Sequence, residues 1–362
     1  MRSEIGSFFW FEEEDIIQRK NTVTPYNFGF SGDDYCWLST GRQAIDLALS
    51  NIISEYPTQR RKVMLPPYTC ESVVTPFKRR TFSVSRYSLT DNLLVSAKEI
   101  IQQLEEQQPS ILLFHSYFGF DTISDVDKLV LYCHEHNIAT IEDCTHSVFS
   151  NHKSDADFVI SSIRKWCGVP DGAFLIRRKG KITNKPQDYH SSLVEKKLEA
   201  SRLKRDYIQN KVGKKTSFLE LYSKSEDLID SQTELFTISP ISKIILSNLD
   251  IGYLRNQRRT NFELLTKGIS SNQIRPLFNA LPLHVTPLFF PLICENRKYI
   301  QKTLFSKEIY APIIWPIPQF FNEQELTENE RFLYSHLLCI PIDQRYDAKD
   351  MRYTLNVLNQ KL

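Results

Sequence analysis

From about residue 35 to 180, short apolar runs alternate with stretches of helical period. "RKVMLP" (61–66), "RTFSVSR" (80–86), "SILLFHS" (110–116), "NIATIED" (137–143), "ADFVISS" (156–162) and "GAFLIRR" (172–178) are predicted as buried strands. Between them "RQAIDLALSNII", "CESVVTPFKR", "SAKEIIQQLEEQ" and "DVDKLVLYCHEH" carry apolar residues at helical spacing. The last of these is expected to open at Ser124, with Asp127 three residues on in the manner of a capping box. Strands and helices in this alternation predict an α/β fold: a mostly parallel, seven-stranded type of sheet covered by helices on both faces.

Beyond residue 180 the character changes. "LVEKKLEASRLKRDYIQNKVGKKT" (193–216) is a charged helical stretch whose lysines and arginines alternate with Glu195, Glu199 and Asp206, the pattern of a solvated helix. A long helical pattern runs from Ser239 to about 268, suited to bridging two domains. The remainder reads as a smaller C-terminal α+β domain ending in the helix "AKDMRYTLNVLNQKL". The expected organisation is an N-terminal arm (1–34), a large domain (35–250) and a small C-terminal domain (251–362).

Composition narrows the function classes. A net charge of +2 over 362 residues offers no strong field for nucleic acid or a membrane surface. Seven scattered cysteines without a C-x-x-C fit reduced thiols and a cytoplasmic location. His134 and His136 are too poorly placed on a helix to suggest a metal site, and none is expected. The acidic residues after "FFWF" rule out a secretory core, and prolines interrupt the apolar tract at 281–294, so no membrane association is expected. With 11 glycines there is neither a P-loop nor a G-x-G-x-x-G. The N-terminal "FFWF" suits either a subunit contact or a domain-packing arm.

Ligands of parallel sheets sit at the carboxyl ends of strands. Three segments there carry chemistry: "STGRQAI" (39–45), "IEDCTHS" (141–147) and "SSIRK" (161–165). Together with "LPPYTCESVVTPF", "HSYFG" and "RRTNFELL", they resemble the DegT/StrS-type sugar aminotransferases, pyridoxal-phosphate enzymes of the aspartate-aminotransferase fold, over roughly residues 35–270.

The resemblance implies pyridoxal 5'-phosphate as cofactor and Lys165 as the amine that binds its aldehyde and later moves a proton. Asp143 would keep the pyridine nitrogen protonated, and His146 would stand beside the ring oxygen. The backbone at Gly41 and Arg42 would hold the phosphate at a helix start, with a hydroxyl from Ser161 or Ser162, of which Ser161 is favoured. Cys70 falls where the family often stacks an aromatic: either Tyr68 or another residue supplies that face, or the Cys70 thiol lies against the cofactor ring instead. Leu235 stands where the family has an asparagine that reaches the partner subunit's phosphate, and Ser239 is an alternative source of that contact. The family's "GEGG" is replaced by "VPDGA" (169–173).

The implied activity transfers an amino group from glutamate to a nucleotide-linked keto sugar, in a homodimer, for surface polysaccharide or glycan synthesis. Two alternatives are a sugar dehydratase of the same fold, against which Lys165 argues because those relatives carry histidine there, and a non-catalytic protein that retains the fold.

Overall fold

The sheet is built from β1 (Asp34–Leu38), β2 (Lys62–Leu65), β3 (Ser83–Arg86), β4 (Ile111–Phe114), β5 (Ala139–Asp143), β6 (Phe158–Ser162) and β7 (Ala173–Arg177), in the spatial order β1-β7-β6-β5-β4-β2-β3. In this computed structural model, which describes residues 4–17, 22–151 and 153–360, all six runs read as strands form sheet strands. β1 is an addition that the pattern did not reveal. The β2–β3, β2–β4 and β4–β5 pairs are parallel, whereas β7 runs antiparallel to both β1 and β6.

Helices α1 (Gly41–Glu55), α2 (Glu71–Arg79), α3 (Ala97–Gln107) and α4 (Val126–Glu135) follow β1, β2, the loop after β3, and β4 respectively, and flank the sheet. Their ends correct the sequence reading. α4 is preceded by Asp125 in the left-handed conformation with no side-chain cap, so the expected Ser124–Asp127 box does not form. A reciprocal box forms instead at α3, where Ser96 accepts from the Glu99 N–H and Glu99 reaches back to the Ser96 N–H.

The charged stretch after residue 190 forms α5 (Ser191–Arg205), continued by a π-turn and followed by α6 (Lys215–Ser231). Here the expected solvated helix is wrong on one face: Lys197 and Lys204 are buried. The Lys204 ammonium donates to the Phe8 carbonyl and lies over the Trp10 ring. Phe8 stacks on Tyr222 of α6 at 4.0 Å, and the Tyr222 hydroxyl donates to the Phe9 carbonyl at 2.7 Å. The "FFWF" segment is therefore a packing arm within its unit, its backbone acceptors met by the Tyr222 hydroxyl and by Lys204, a cation that alternation with acids had made look solvated.

The long pattern from Ser239 is broken at Asn248–Asp250 into α7 (Pro240–Ser247) and α8 (Ile251–Gly268). The C-terminal α+β region holds an antiparallel three-stranded sheet, β8 (Ile274–Pro276), β9 (Phe290–Cys294) and β10 (Leu337–Ile340), in the order β8-β9-β10, with α9 (Arg297–Ser306), α10 (Glu328–His336) and α11 (Ala348–Leu358).

Two compact units divide the chain. One gathers the described parts of Met1–Ser7, Thr58–Ala156 and Ile251–Leu362; the other gathers Phe8–Pro57 and Asp157–Asp250. Both are non-contiguous, whereas the arm and two domains expected from the sequence follow chain order. No helix among the described residues is long and apolar enough to cross a membrane, and all seven cysteines are free thiols.

Candidate functional site

In the second unit, the antiparallel register pairs Ala173 of β7 with Leu38 on one side and Ser162 on the other. The row closes with two further bonds: the Gly172 N–H donates to the Ser39 carbonyl at 2.8 Å, and the Ile163 N–H donates to the Gly172 carbonyl at 3.0 Å. Gly172 has φ +142°, a conformation that L side chains rarely adopt, and it lets the chain enter β7 at that point. Because β1 and β6 both run against β7, their carboxyl ends share one edge. Thr40–Gly41 and the turn Ile163–Lys165 leave the sheet there.

Thr40 caps α1 by accepting from the Gln43 N–H. Gly41 begins the helix, and a Cβ placed on it would lie 3.3 Å from the Ser162 Cβ. Successive strand residues point to opposite faces, so Ser161 is fully buried while Ser162 is partly exposed beside Gly41. The structure thus brings Ser162, not Ser161, next to the helix start. Three residues on, Lys165 ends a single 3-10 turn and is only half-buried. Its neighbour Trp166 is fully buried and donates its N–H to the Ile163 carbonyl at 2.8 Å, which fixes the turn from below. Arg42 and Arg164, on either side of this edge, pair with Asp230 and Glu226, each at 2.8 and 2.7 Å respectively.

The residues that replace "GEGG" are structural. Asp171 is fully buried and accepts from the Ser239 N–H at 2.9 Å, the Ser239 hydroxyl at 2.6 Å and the Ser242 hydroxyl at 2.5 Å. Burial raises its carboxyl above the usual range, opposed by those hydrogen bonds. Ser239 is also the N-cap of α7 and fully buried. Its hydroxyl is engaged within its own unit, with Asp171 and with the Ser242 hydroxyl at 3.0 Å.

In the first unit, Asp143 closes β5, buried, with Oδ1 accepting from the Thr145 N–H at 2.8 Å. Its neighbour Glu142 points the other way and accepts from the Ser154 hydroxyl at 2.7 Å and N–H at 3.2 Å. His146 is buried against Trp315, the rings 4.8 Å apart and within 12° of parallel, with Phe118 on it at 5.3 Å. The Phe118 N–H donates to His146 Nδ1 at 3.5 Å. Trp315 also touches Tyr68, His115 and Tyr117, all buried. No local pattern points to Trp315, which sits in a proline-rich loop 169 residues after His146. Cys70 is the N-cap of α2, its thiol accepting from the Ser72 N–H at 3.4 Å.

In the second unit, a helix start opened by glycine, a hydroxyl beside it and a half-buried amine fit the phosphate and the aldehyde of a phosphorylated aldehyde cofactor; in the first unit, a buried carboxylate closes a strand. Solved structures share the fold. The aminotransferase TlmJ from Streptoalloteichus hindustanus matches with a TM-score of 0.64 and 14% identity, covering 92% of this chain and 88% of that one. The sugar aminotransferase CalS13 from Micromonospora echinospora matches with 0.64 and 14%, covering 91% and 87%. Helicobacter pylori PseC, an aminotransferase involved in the biosynthesis of pseudoaminic acid, matches with 0.69 and 12%, covering 98% of both chains. No protein-family model and no curated sequence matches the chain. The class defined is therefore the fold of these aminotransferases, shared over nearly the whole chain.

Proposed function

We propose that the protein is a pyridoxal-phosphate-dependent aminotransferase that moves an amino group, from glutamate as donor, onto a nucleotide-linked keto sugar used in surface polysaccharide or glycan synthesis. The observation that carries the reading is the sheet edge of the second unit. There a glycine-led helix start, a hydroxyl packed against it and an amine three residues further on follow one another, as phosphate and aldehyde binding require.

When bound, the cofactor supplies an aldehyde that condenses with amines and a ring that accepts the electron pair released on breaking a C–H bond beside the nitrogen. The chain's own residues do the rest. Gly41, Arg42 and a serine hydroxyl hold the phosphate, for which the packing against Gly41 favours Ser162. Lys165 would hold the aldehyde through Nζ, and the same amine would serve to take up and return a proton. Asp143 would keep the ring nitrogen protonated, a charge-assisted contact of a type that contributes on the order of 1.5–3 kcal/mol, and His146 would stand beside the ring oxygen. The protein works as a homodimer in the cytoplasm.

The test is covalent. Protein loaded with pyridoxal phosphate should be yellow, lose the colour with borohydride, and carry the cofactor mass on the peptide containing Lys165. Lys165→Ala should fold but trap nothing. Glutamate should then convert wild-type protein to the amine-form spectrum. Colourless protein unaffected by added cofactor would instead mark a fold retained for binding.

A further inference from the structure

Helix α6 presents Glu226 and Asp230 four residues apart, on one face. Asp230 Oδ1 accepts from Arg42 Nη2 at 2.8 Å, and the Ile229 carbonyl accepts from Arg42 Nη1 at 3.3 Å. Glu226 Oε1 accepts from Arg164 Nη2 at 2.7 Å and also from the Lys197 ammonium of α5. Arg42 immediately follows Gly41, and Arg164 immediately precedes Lys165. A third tie runs from the same end of α6: Gln43 Nε2 donates to Gln232 Oε1 at 2.9 Å and to the Glu234 carbonyl at 3.0 Å, while its Oε1 accepts from the Phe236 N–H at 3.1 Å.

We propose that α6 is a brace whose paired carboxylates, Glu226 and Asp230, are positioning residues: they hold the helix start at Gly41–Arg42 and the turn bearing Lys165 in register with each other. This rests on the proposed function for its purpose, though not for its geometry. The two arginines would otherwise be neighbouring cations at an edge proposed to bind a phosphate dianion. Paired side by side on α6, each guanidinium is drawn off the cradle and fixes the backbone next to it, so phosphate is met by N–H groups in a set arrangement. The carboxylates are exposed (side chains 69% for Asp230 and 44% for Glu226), whereas the arginines are mostly covered (12% and 20%). Such pairs contribute little to global stability. Their effect should appear locally.

Glu226→Gln, Asp230→Asn and the double variant are compared with wild type in two ways. In cofactor-free protein, amide hydrogen exchange over residues 39–44 and 161–167 should quicken about three- to tenfold in the double variant, with the rest of the chain unchanged, as expected for local rather than global opening. In binding titrations, Asp230→Asn should weaken pyridoxal phosphate about two- to fivefold more than pyridoxal, since only the former presents a phosphate to the braced helix start. Unchanged exchange in both segments, exchange quickened evenly along the chain, or equal losses for both ligands would overturn the brace. Wild-type protein that binds neither ligand overturns the proposed function instead, and exchange alone then decides the brace.

Discussion

Gly41 and Ser162 approach so closely that a single added methyl would stand 3.3 Å from the serine Cβ. Gly41→Ala is expected to leave stability within about 1 kcal/mol of wild type, because alanine's helix preference of about 1 kcal/mol offsets the crowding. The serine must nonetheless shift by a few tenths of an ångström, away from the helix start where phosphate is proposed to bind. Affinity for pyridoxal phosphate should fall about tenfold, equivalent to about 1.4 kcal/mol. Denaturant unfolding and ligand titration on the same preparation separate the two effects, and an unchanged affinity would remove Gly41 from the cradle.

Lys197 carries a pH prediction. Burial, helped by the nearby Arg164 and opposed by Glu226, pushes its ammonium down to about 8. In the unfolded chain a lysine titrates near 10.4. Between about pH 8 and 10.4 the unfolded state therefore binds more protons than the folded one, so stability attributable to this group rises with pH across that window. Below pH 8 the buried charge is a constant penalty. The gain on alkalinisation should be on the order of 2–3 kcal/mol. It should be absent from the Lys197→Met variant, so the difference between the two unfolding curves, followed from pH 7 to 10.5, isolates it. Parallel curves would show that the ion pair with Glu226, not burial, governs the group.

The two serine positions that precede helices give opposite expectations. Ser96→Ala breaks the reciprocal cap of α3 and should cost about 1 kcal/mol, within a typical range of about 0.5–2. Ser124→Ala should be nearly silent, since Ser124 caps nothing and lies in a two-residue strand. Thermal unfolding of the two variants side by side checks this.

That contrast shows what a sequence can reveal here. Strands such as "SILLFHS" and "NIATIED" were legible because both faces of a parallel sheet are covered and their apolar runs are continuous. β1, "DYCWL", was missed: it begins with an acid and an aromatic and is recruited by pairing with β7, a long-range relation that local pattern does not carry. The capping motif at Ser124 matched in spacing, but Asp125 takes a left-handed conformation that starts the helix one residue too late for it. In α5, alternation of signs hid two buried lysines, because their partners, the Phe8 carbonyl and Glu226, lie 196 and 29 residues away. Gly41, the Ser161–Ser162 pair and Lys165, proposed to bear the chemistry, were legible as local motifs, with Ser161 favoured of the two serines. Their company on one sheet edge came from the antiparallel register of β7, and the engagement of Ser239 by Asp171 came from tertiary burial, which no spacing announces.

Trp315 and His146 give the last prediction. Their nearly parallel rings, 4.8 Å apart, leave both side chains almost fully buried, with the Phe118 N–H directed at Nδ1. The stacked indole holds the His146 ring with Nδ1 facing that N–H. Trp315→Ala should cost about 3–5 kcal/mol through loss of packing and the cavity left behind. Trp315→Phe retains a smaller aromatic face and should cost less than the alanine variant. If Trp315 acts on the site by orienting His146, cofactor affinity should be lowered in Trp315→Phe and should fall no further when His146→Asn is added, the non-additivity expected of groups acting through one another. Independent losses that sum in the double variant would show the indole to be core packing alone.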